Sequence, residues 1–328
     1  MSVIHRLLRS ICVAGASVIA VASLAQPAGY PSKPLTYVVP YPPGGAADVF
    51  ARSLAAELSK RIGQTVIVEN RAGANGNLGS AYVARTAPAD GYTFLLGSLS
   101  SLAINPHIYS NMGYDPLKDL QPVSLTHQMA NVLVVNPATT YKTVADVIAA
   151  AKAKPGILAY ASAGNGNTMH IAGEQFKAQS GIDISHVPYK GGPPALNDVL
   201  GGQVPMMFNN LPAIVELVHA GKLRALAVGD THRAKQLPQV PTMEEAGLKG
   251  YTSIVWNGVL VRAGTPPEIV QYLAKQIAAA LESPSLKKPL EDQGYEVLSS
   301  TPEKFSALLK SEYAAMLPVV KRSGAKVD

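Results

Sequence analysis

The chain has 328 residues, of which 47% are hydrophobic and 15% charged, a composition typical of a folded protein with a sizeable core. Its formal net charge of +6 comes from scattered lysines and arginines. Without a basic stripe and interleaved aromatics, we expect no nucleic-acid partner. The single cysteine, Cys12, lies close to the N-terminus, so the rest of the chain excludes disulfides, thiolate nucleophiles and cysteine metal sites.

Residues 1–25 have the pattern of a secretory signal peptide, with cleavage near Ala25. Arg6 and Arg9 form the basic start, the apolar stretch Ile11–Ala22 follows, and small residues precede the cleavage point. The apolar stretch is too short for a membrane span, which needs about 20 residues. We therefore expect an exported, periplasmic protein whose formal charge falls to +4 with the loss of the two arginines.

Short β-rich runs alternate with helical patterns along the rest of the chain, which favours parallel sheets built from strand–helix–strand units. In the first half we predict strands at Leu35–Val39, Thr65–Glu69, Thr93–Leu96 and Leu120–Leu125, and helices that begin near Ala46, Asn75 and Ala103. In the second half we predict strands at Val132–Val135, Leu158–Tyr160, Asp183–Val187, Pro205–Phe208 and Leu223–Val228, and helices that begin near Val144, Thr168, Pro193 and Leu211. A last extended run at Ile254–Arg262 precedes a helix from about Glu268.

Two extended segments connect the halves. Leu120–Val135 runs from the first set of strands to the second, and Ile254–Arg262 leads back. A chain that builds two lobes and returns needs two connections, so these segments predict a two-segment hinge. We assign residues 26–127 and 251–328 to lobe 1, and residues 128–250 to lobe 2. Residues 229–252, rich in proline and glycine, fit either lobe. The elements of the two halves also repeat in order, although any α/β protein shows some such repetition.

Two neutral, glycine-rich turns between a strand and a helix carry the strongest functional signal. They are the lobe-1 loop, Pro42–Gly45, and the lobe-2 loop, Gly164–Asn167. Backbone N–H groups at such a turn, together with the positive end of the helix dipole, bind anions without a charged side chain. Because ligands of open parallel sheets lie beyond the carboxyl ends of the strands, we expect both loops to face one cleft.

The predicted ligand-binding residues lie on these loops and on neighbouring strand ends. In lobe 1 they are Tyr41, Pro43, Gly44, Gly45, Asn75, Gly76, Ser98, Ser100 and Ser101. In lobe 2 they are Ser162, Gly164, Asn165, Gly166, Asn167, Thr168, Tyr189, Lys190 and Asn209.

Several of these residues have a structural alternative. Tyr41 is either a wall of the site or a packed core aromatic, and each serine after the third strand either donates to a carboxylate or caps a helix. Lys190 either meets an anion when the lobes close or points to solvent. Asn167 caps its helix, reaches the ligand, or does both. We expect Asp48 to serve its helix start, and His170 to pack or hydrogen-bond rather than bind a metal.

The motifs of common catalytic sites are absent from the sequence. There is no G-x-S-x-G, no H-E-x-x-H, no phosphate-binding G-x-x-x-x-G-K-[ST], and no G-x-G-x-x-G after a strand. We therefore expect no enzyme activity, no metal and no cofactor.

An ordered series of motifs resembles the Bug family, the extracytoplasmic solute-binding proteins of tripartite tricarboxylate transporters. The motifs are PYPPGGAAD, VENRAGANGNLG, DGYTFLLG, INPHIY, YASAGNGNTMHIAGE, VPYKGGPPALNDVLGGQV and LPQVPTMEEAG. The resemblance implies an α/β, two-lobed periplasmic binding protein of the type II, Venus-flytrap kind, each lobe a mostly parallel sheet flanked by helices. It also implies that a small organic acid is captured by lobe closure and delivered to membrane permease subunits. We expect a monomer.

Two positions depart from the usual pattern of that family. Asn209 stands where members commonly have an aspartate, and a neutral amide cannot pair with the ammonium group of an amino acid. Leu102 stands where members often have a histidine, which we interpret as a more apolar wall. Both changes favour a dicarboxylate or an aromatic acid over an amino acid. A ligand-sensing role with a membrane sensor kinase is the alternative to transport, and an exported enzyme is less favoured.

Overall fold

A computed structural model describes residue 27 and residues 29–325. The predicted signal peptide lies outside these residues, and its cleavage near Ala25 stays a prediction. None of the helices in the described ranges is both long enough and apolar enough to cross a membrane.

Strands and helices alternate along the described chain. The strands are β1 (Leu35–Val39), β2 (Val66–Asn70), β3 (Thr93–Ser98), β4 (Leu120–Val135), β5 (Ala159–Ser162), β6 (Ser185–Pro188), β7 (Met206–Asn210), β8 (Arg224–Val228), β9 (Ile254–Arg262) and β10 (Glu296–Val297). The helices are α1 (Ala46–Ile62), α2 (Asn77–Ala81), α3 (Val144–Ala153), α4 (Thr168–Ser180), α5 (Gly192–Leu200), α6 (Leu211–His219), α7 (Pro267–Leu281), α8 (Pro284–Asp292) and α9 (Pro302–Ser323). Single helical turns occur at Ala74–Gly76, Tyr82–Thr86, Ser100–Ile104 and Asn105–His107.

Helix α1 shows why the elements form where the sequence predicts them. Phe50, Leu54 and Leu58 recur every four residues and are fully buried, so one helix face packs against the sheet. Asp48 lies in the first turn, and Gly63 ends the helix in the left-handed conformation with φ of 68°. Helices α3, α4 and α6 likewise begin at the predicted residues.

Two helix predictions were wrong in detail. The helix expected near Ala103 is a single turn from Ser100 to Ile104, followed by another turn that contains Pro106. A proline has no N–H for a regular helical hydrogen bond, so this segment does not extend into a helix. The helix expected near Asn75 begins at Asn77, after a turn of left-handed residues.

The same strand arrangement is built twice. In lobe 1, β1 lies between β2 and β3 and is parallel to both. In lobe 2, β5 lies between β6 and β7 and is parallel to both. In lobe 1, β9 follows antiparallel to β3, and β4 follows antiparallel to β9. In lobe 2, β4 follows antiparallel to β7, and β8 follows antiparallel to β4. The mostly parallel sheets predicted for the two lobes are therefore confirmed. The order of elements that repeats in the sequence corresponds to the same strand order in the two lobes.

Strand β4 is shared by the two halves of the molecule. The segments predicted as separate strands, Leu120–Leu125 and Val132–Val135, belong to one strand of 16 residues. Its first part, up to Ala130, pairs with β9, and its last five residues pair with β7. One continuous strand thus carries the chain from lobe 1 into lobe 2.

Separate apolar cores lie on the two sides of this crossing. One core is built from residues between Ala130 and Tyr251. Two others are built from residues before 130 and after 254, with Ile171 as an exception that packs from α4 into a lobe-1 core. The residue limits of the lobes stay a prediction, and the names lobe 1 and lobe 2 keep the predicted ranges below.

Candidate functional site

A cavity of about 780 Å³ lies between the two lobes. Both glycine-rich loops border it, together with strand ends from each lobe. Of the predicted ligand-binding residues, those that line it are Tyr41, Gly44, Gly45, Asn75, Gly76, Ser98, Ser100, Gly164, Asn165, Asn167, Thr168, Tyr189, Lys190 and Asn209.

The structure places four predicted residues outside the lining. Pro43 is one of them, and its neighbour Pro42 lines the cavity instead. Ser162 and Gly166 bond to His186 and His170, which lie outside the lining, and Ser101 donates its N–H to the lining residue Ser98. The structure therefore places these three residues in supporting positions, and their predicted contact with a ligand stays a prediction.

Sequence reasoning missed more lining residues than it found. The additional ones include Pro42, Ala46, Ala47, Val49, Gly73, Ala74, Tyr109, Met129, Gly191, Gly192, Pro193, Leu196, Asn197, Asn210, Pro212, Ala213, Val255, Asn257, Gln293 and Tyr295. The glycine–proline run after Lys190 was a usable signal for part of this set. No local signal marks Met129, Asn257 or Tyr295, because only the tertiary fold brings them to the cleft.

Four helices begin at the cavity. The first residues of α1 in lobe 1, and of α4 and α5 in lobe 2, belong to its lining, and α6 contributes its N-cap Asn210 and the first-turn residues Pro212 and Ala213. The first N–H groups of a helix have no partner within the helix, and the helix dipole places partial positive charge there. Pro193, Pro194 and Pro212 have no N–H, so α5 and α6 offer fewer donors than α1 and α4. The four helix dipoles and the remaining backbone N–H groups favour an anion in the cavity.

Fixed charge is almost absent from the lining. Within the described part of the chain, no aspartate, glutamate, arginine or histidine lines the cavity, and Lys190 is its one cation. The Lys190 side chain is exposed. Lys190 thus borders the cleft and also reaches solvent, and its predicted contact with an anion stays a prediction.

The lobe-1 loop is held by a buried carboxylate. Gly44, with φ of 81°, donates its N–H to Asp48 Oδ2 at 2.9 Å. Asn70 Nδ2 donates to Asp48 Oδ1 at 2.8 Å, and Arg52 Nε donates to Oδ2 at 3.0 Å. Burial alone would raise the pKa of Asp48, but these hydrogen bonds outweigh it and hold the pKa below its usual value. Asp48 therefore stabilises the start of α1, as expected.

The lobe-2 loop is held at the equivalent position by an imidazole. Gly166, with φ of 73°, donates its N–H to His170 Nδ1 at 3.1 Å. Gly164 donates its N–H to Ser162 Oγ at 3.1 Å. Asn167 caps α4 by accepting from the N–H of Met169 at 3.0 Å and also lines the cavity, so both of its predicted roles have a structural basis.

A strained turn forms the third edge of the cavity. Gly73, Ala74, Asn75 and Gly76 all have positive φ, and Ala74 and Asn75 are the described non-glycine residues in that region. Asn75 Nδ2 donates to Asn105 Oδ1 at 2.8 Å, and Asn105 Nδ2 donates back to the Asn75 carbonyl at 3.0 Å. Such strain persists only where the surroundings enforce it, so Asn105 holds this turn ready for a ligand.

Tyr41 combines its two predicted roles. It packs against a lobe-1 core and lines the cavity. Its hydroxyl lies 2.5 Å from Ser98 Oγ, and Ser98 Oγ accepts from the N–H of Ser101 at 3.2 Å. Burial raises the pKa of Tyr41, so the hydroxyl stays protonated at neutral pH.

Asn209 presents hydrogen-bond donors to the cavity. The residue is 2% exposed, and its Oδ1 accepts from the Asn210 N–H at 2.8 Å. Its Nδ2 contacts only Met207 Sδ, at 3.6 Å, among the described residues. Because Oδ1 is occupied, the amide offers N–H groups, which suit a carboxylate.

Leu102 does not form a cavity wall, so the interpretation of this position was wrong. Its side chain is fully buried in a lobe-1 core and lies outside the lining. The apolar surface of the cavity comes instead from Val49, Met129, Leu196 and Val255.

Ser162 and His186 form a pair that resembles part of a hydrolase site. Ser162 Oγ lies 2.6 Å from His186 Nε2. Ser162, however, is fully buried and does not line the cavity. This serine is placed to hold the Gly164 N–H rather than to meet a substrate.

The two lobes touch at the mouth of the cavity. Asn167 Nδ2 donates to Asn75 Oδ1 at 3.3 Å, and a Cβ on Gly191 would lie 2.7 Å from Pro42 Cγ. These contacts join lobe 2 to lobe 1, so the structure is a closed form.

A closed cavity between two lobes, bordered by helix N-termini, defines a two-lobed periplasmic solute-binding protein. The family model described as "Tripartite tricarboxylate transporter family receptor" matches residues 50–325, and the chain belongs to that family. This confirms the resemblance to the Bug proteins.

Individual relatives agree with this assignment. Protein BugT of Bordetella pertussis is 39% identical over 313 residues, which cover 94% of this chain and 96% of the relative. The structure of R. palustris Rpa4515 with adipate is 39% identical, has a TM-score of 0.88 and covers 91% of this chain and 100% of its own. MatC (Rpa3494) from Rhodopseudomonas palustris with bound malate is 30% identical, has a TM-score of 0.84 and covers 89% of this chain and 100% of its own.

Proposed function

We propose that this protein captures a dicarboxylate or an aromatic acid by lobe closure and delivers it to a tripartite tricarboxylate transporter permease. The observation that carries the proposal is the convergence of four helix N-termini on a cavity without an acidic residue in its described lining. Backbone donors and helix dipoles stabilise a carboxylate, while the apolar side chains of the lining contact its carbon skeleton.

The lining argues against an amino acid as the ligand. An α-ammonium group buried in the cleft needs an anionic partner, and Asn209 offers N–H donors where a carboxylate would be required. Adipate and malate, which are bound by the two structural relatives, are dicarboxylates without an amino group. A cavity of about 780 Å³ also has room for an acid of that size or larger.

Closure supplies the differential affinity that a capture protein needs. Lobe 1 contributes the N-terminus of α1, and lobe 2 contributes those of α4, α5 and α6. A ligand that binds one lobe first therefore gains the donors of the other lobe only after closure. That gain shifts the population toward the closed form, which is the form a permease would recognise.

The proposal is tested by titrating the protein, without its predicted signal peptide, with adipate, malate, benzoate and glutamate. We expect adipate, malate or benzoate to raise the melting temperature and to bind at least tenfold more tightly than glutamate in calorimetry. Tighter binding of glutamate than of every simple carboxylate would contradict the proposal.

Asn209→Asp is the matched variant for this experiment. A carboxylate at this position repels an anionic ligand in a low-dielectric cleft, so we expect adipate affinity to fall at least tenfold. Gln203→Glu adds the same charge at an exposed position of lobe 2 and serves as the control, with affinity unchanged.

A further inference from the structure

A stacked pair of histidines lies beneath the lobe-2 loop, outside the cavity lining. The His170 and His186 rings are 3.9 Å apart between centroids and inclined by 13°. His170 accepts the Gly166 N–H directly, and His186 contacts Ser162, which accepts the Gly164 N–H. Two backbone N–H groups of the loop thus depend on this pair.

The hydrogen bond to Gly166 fixes the protonation state of His170. A backbone N–H can only donate, so Nδ1 must carry a lone pair and the ring proton must lie on Nε2. Nε2 faces Glu174 Oε1 at 4.0 Å. A second ring proton would occupy Nδ1 and would remove the acceptor that holds Gly166.

The surroundings keep the pair neutral at pH 7. Burial lowers the pKa of His170 to about 4, against the opposing effect of Glu174. Burial also lowers the pKa of His186 to about 3, with further lowering from His170 and Lys177. A proton on either ring would place a positive charge directly against the other imidazole ring, 3.9 Å away between centroids.

The groups that face the stack come from three elements. Helix α4 contributes Glu174 and Lys177, which are paired at 3.2 Å, and β6 contributes His186 itself. Strand β5 contributes Ser162 and Tyr160, whose ring lies 5.0 Å from that of His186 and whose hydroxyl donates to Glu174 Oε1 at 2.6 Å. Glu174 is therefore already engaged and is not free to compensate a protonated imidazole fully.

We propose that His170 is a positioning residue for the lobe-2 loop, and that protonation of the histidine stack releases Gly166 and weakens ligand capture in acid. This inference rests on the proposed function for its effect on binding. Its structural part, the coupling of the loop to the imidazole, needs no ligand.

The coupling is tested on the ligand-free protein by NMR. We expect the Gly166 amide signal to shift along the same titration curve as the His170 ring, below its ordinary pKa of 6.5. The Gly44 amide is the internal control, because its acceptor is the Asp48 carboxylate, whose pKa is lowered, and its signal does not follow the His170 titration curve. A His170 ring that titrates without moving the Gly166 signal overturns the inference.

The effect on capture is measured with adipate across pH 3 to 8, so that the range extends below the His170 pKa of about 4, comparing the natural chain with His170→Asn. The asparagine keeps an acceptor near Nδ1 but does not titrate, and the ratio of the two affinities cancels protonation of adipate itself. We expect a constant ratio above pH 6.5 and a fall of up to tenfold per pH unit below the His170 pKa found by NMR. His232→Asn, at a mostly exposed histidine, is the control and follows the natural chain.

The outcomes separate this inference from the proposed function. If both proteins bind adipate with the same pH profile, the inference is overturned while carboxylate capture stands. If adipate, malate and benzoate all fail to bind at every pH, the proposed function fails. The positioning role of His170 is then supported by a coupled Gly166 shift and overturned without one.

Discussion

The lobe-1 loop and the lobe-2 loop have the same backbone geometry but different chemical supports. In each, a glycine with positive φ precedes the helix cap and donates its N–H to the third helical residue. That residue is Asp48 in lobe 1 and His170 in lobe 2. Four residues further on, the helix carries the basic Arg52 in lobe 1 and the acidic Glu174 in lobe 2. The side chain next to the acceptor thus has opposite charge in the two lobes. The fold dictates where an acceptor must stand, but not which acceptor it is.

The two supports respond differently to pH. The pKa of Asp48 is lowered in the folded protein, so its contribution to stability is present above the ordinary value of 3.8 and is lost as pH falls through the lowered value. The pKa of His170 is also lowered, to about 4, so the unfolded chain takes up a proton first. The stability linked to His170 is complete above about pH 6.5 and declines as pH falls toward 4. Acid should therefore weaken the support of the lobe-2 loop before that of the lobe-1 loop.

Removal of the carboxylate support should have the largest effect. Asp48 is 3% exposed and accepts hydrogen bonds from Gly44, Asn70 and Arg52. Asp48→Ala leaves these donors without an acceptor, and we expect the free energy of unfolding to fall by about 3 kcal/mol, measured by urea denaturation.

Arg52→Ala is the control for that measurement. The Arg52 side chain is 51% exposed, so its ion pair with Asp48 contributes about 1 kcal/mol or less. A loss in Asp48→Ala no greater than in Arg52→Ala would contradict the view that the carboxylate mainly supports the loop.

Much of this comparison could be predicted from the sequence. The alternation of β-rich runs and glycine turns locates β1, α1 and α4, because local propensity and capping act over a few residues. The sequence predicted that His170 packs or hydrogen-bonds, but not that its partners are Gly166 and His186, since His186 lies on a strand and their stacking depends on tertiary packing. Leu102 was misread as a cavity wall because neighbouring residues of a short turn face opposite ways. Only the tertiary packing decides which of them faces the cavity.

The next largest effect is expected from a substitution at a contact between the two lobes. Gly191 has φ of 117°, and a Cβ there would lie 2.7 Å from Cγ of Pro42 in the lobe-1 loop. Because the proline ring is rigid, Gly191→Ala opposes closure, and we expect adipate affinity to fall about tenfold in calorimetry.

Gly181→Ala is the matched control, since Gly181 also has positive φ but has no atom within 4 Å of an added Cβ. Gly181→Ala should lose about 1–2 kcal/mol of stability from left-handed backbone strain. Gly191→Ala should lose more, because its φ of 117° and ψ of 171° suit glycine alone, and only this variant should lose affinity. Equal affinity in the two variants would mean that the lobes do not meet at this point when ligand is bound.

The smallest effect is expected at Lys190, the charge that most clearly distinguishes the lining of lobe 2 from that of lobe 1. Its side chain is exposed, so solvent screens it, and Lys190→Met should weaken adipate binding only about two- to threefold at physiological salt. The loss should grow at about 0.01 M salt, where the screening length is about 30 Å. Lys142→Met, at another exposed lysine of lobe 2, should change neither value. A hundredfold loss of adipate affinity in Lys190→Met would show that fixed charge dominates capture. A small loss that depends on salt is the result expected if the four helix N-termini provide most of the recognition.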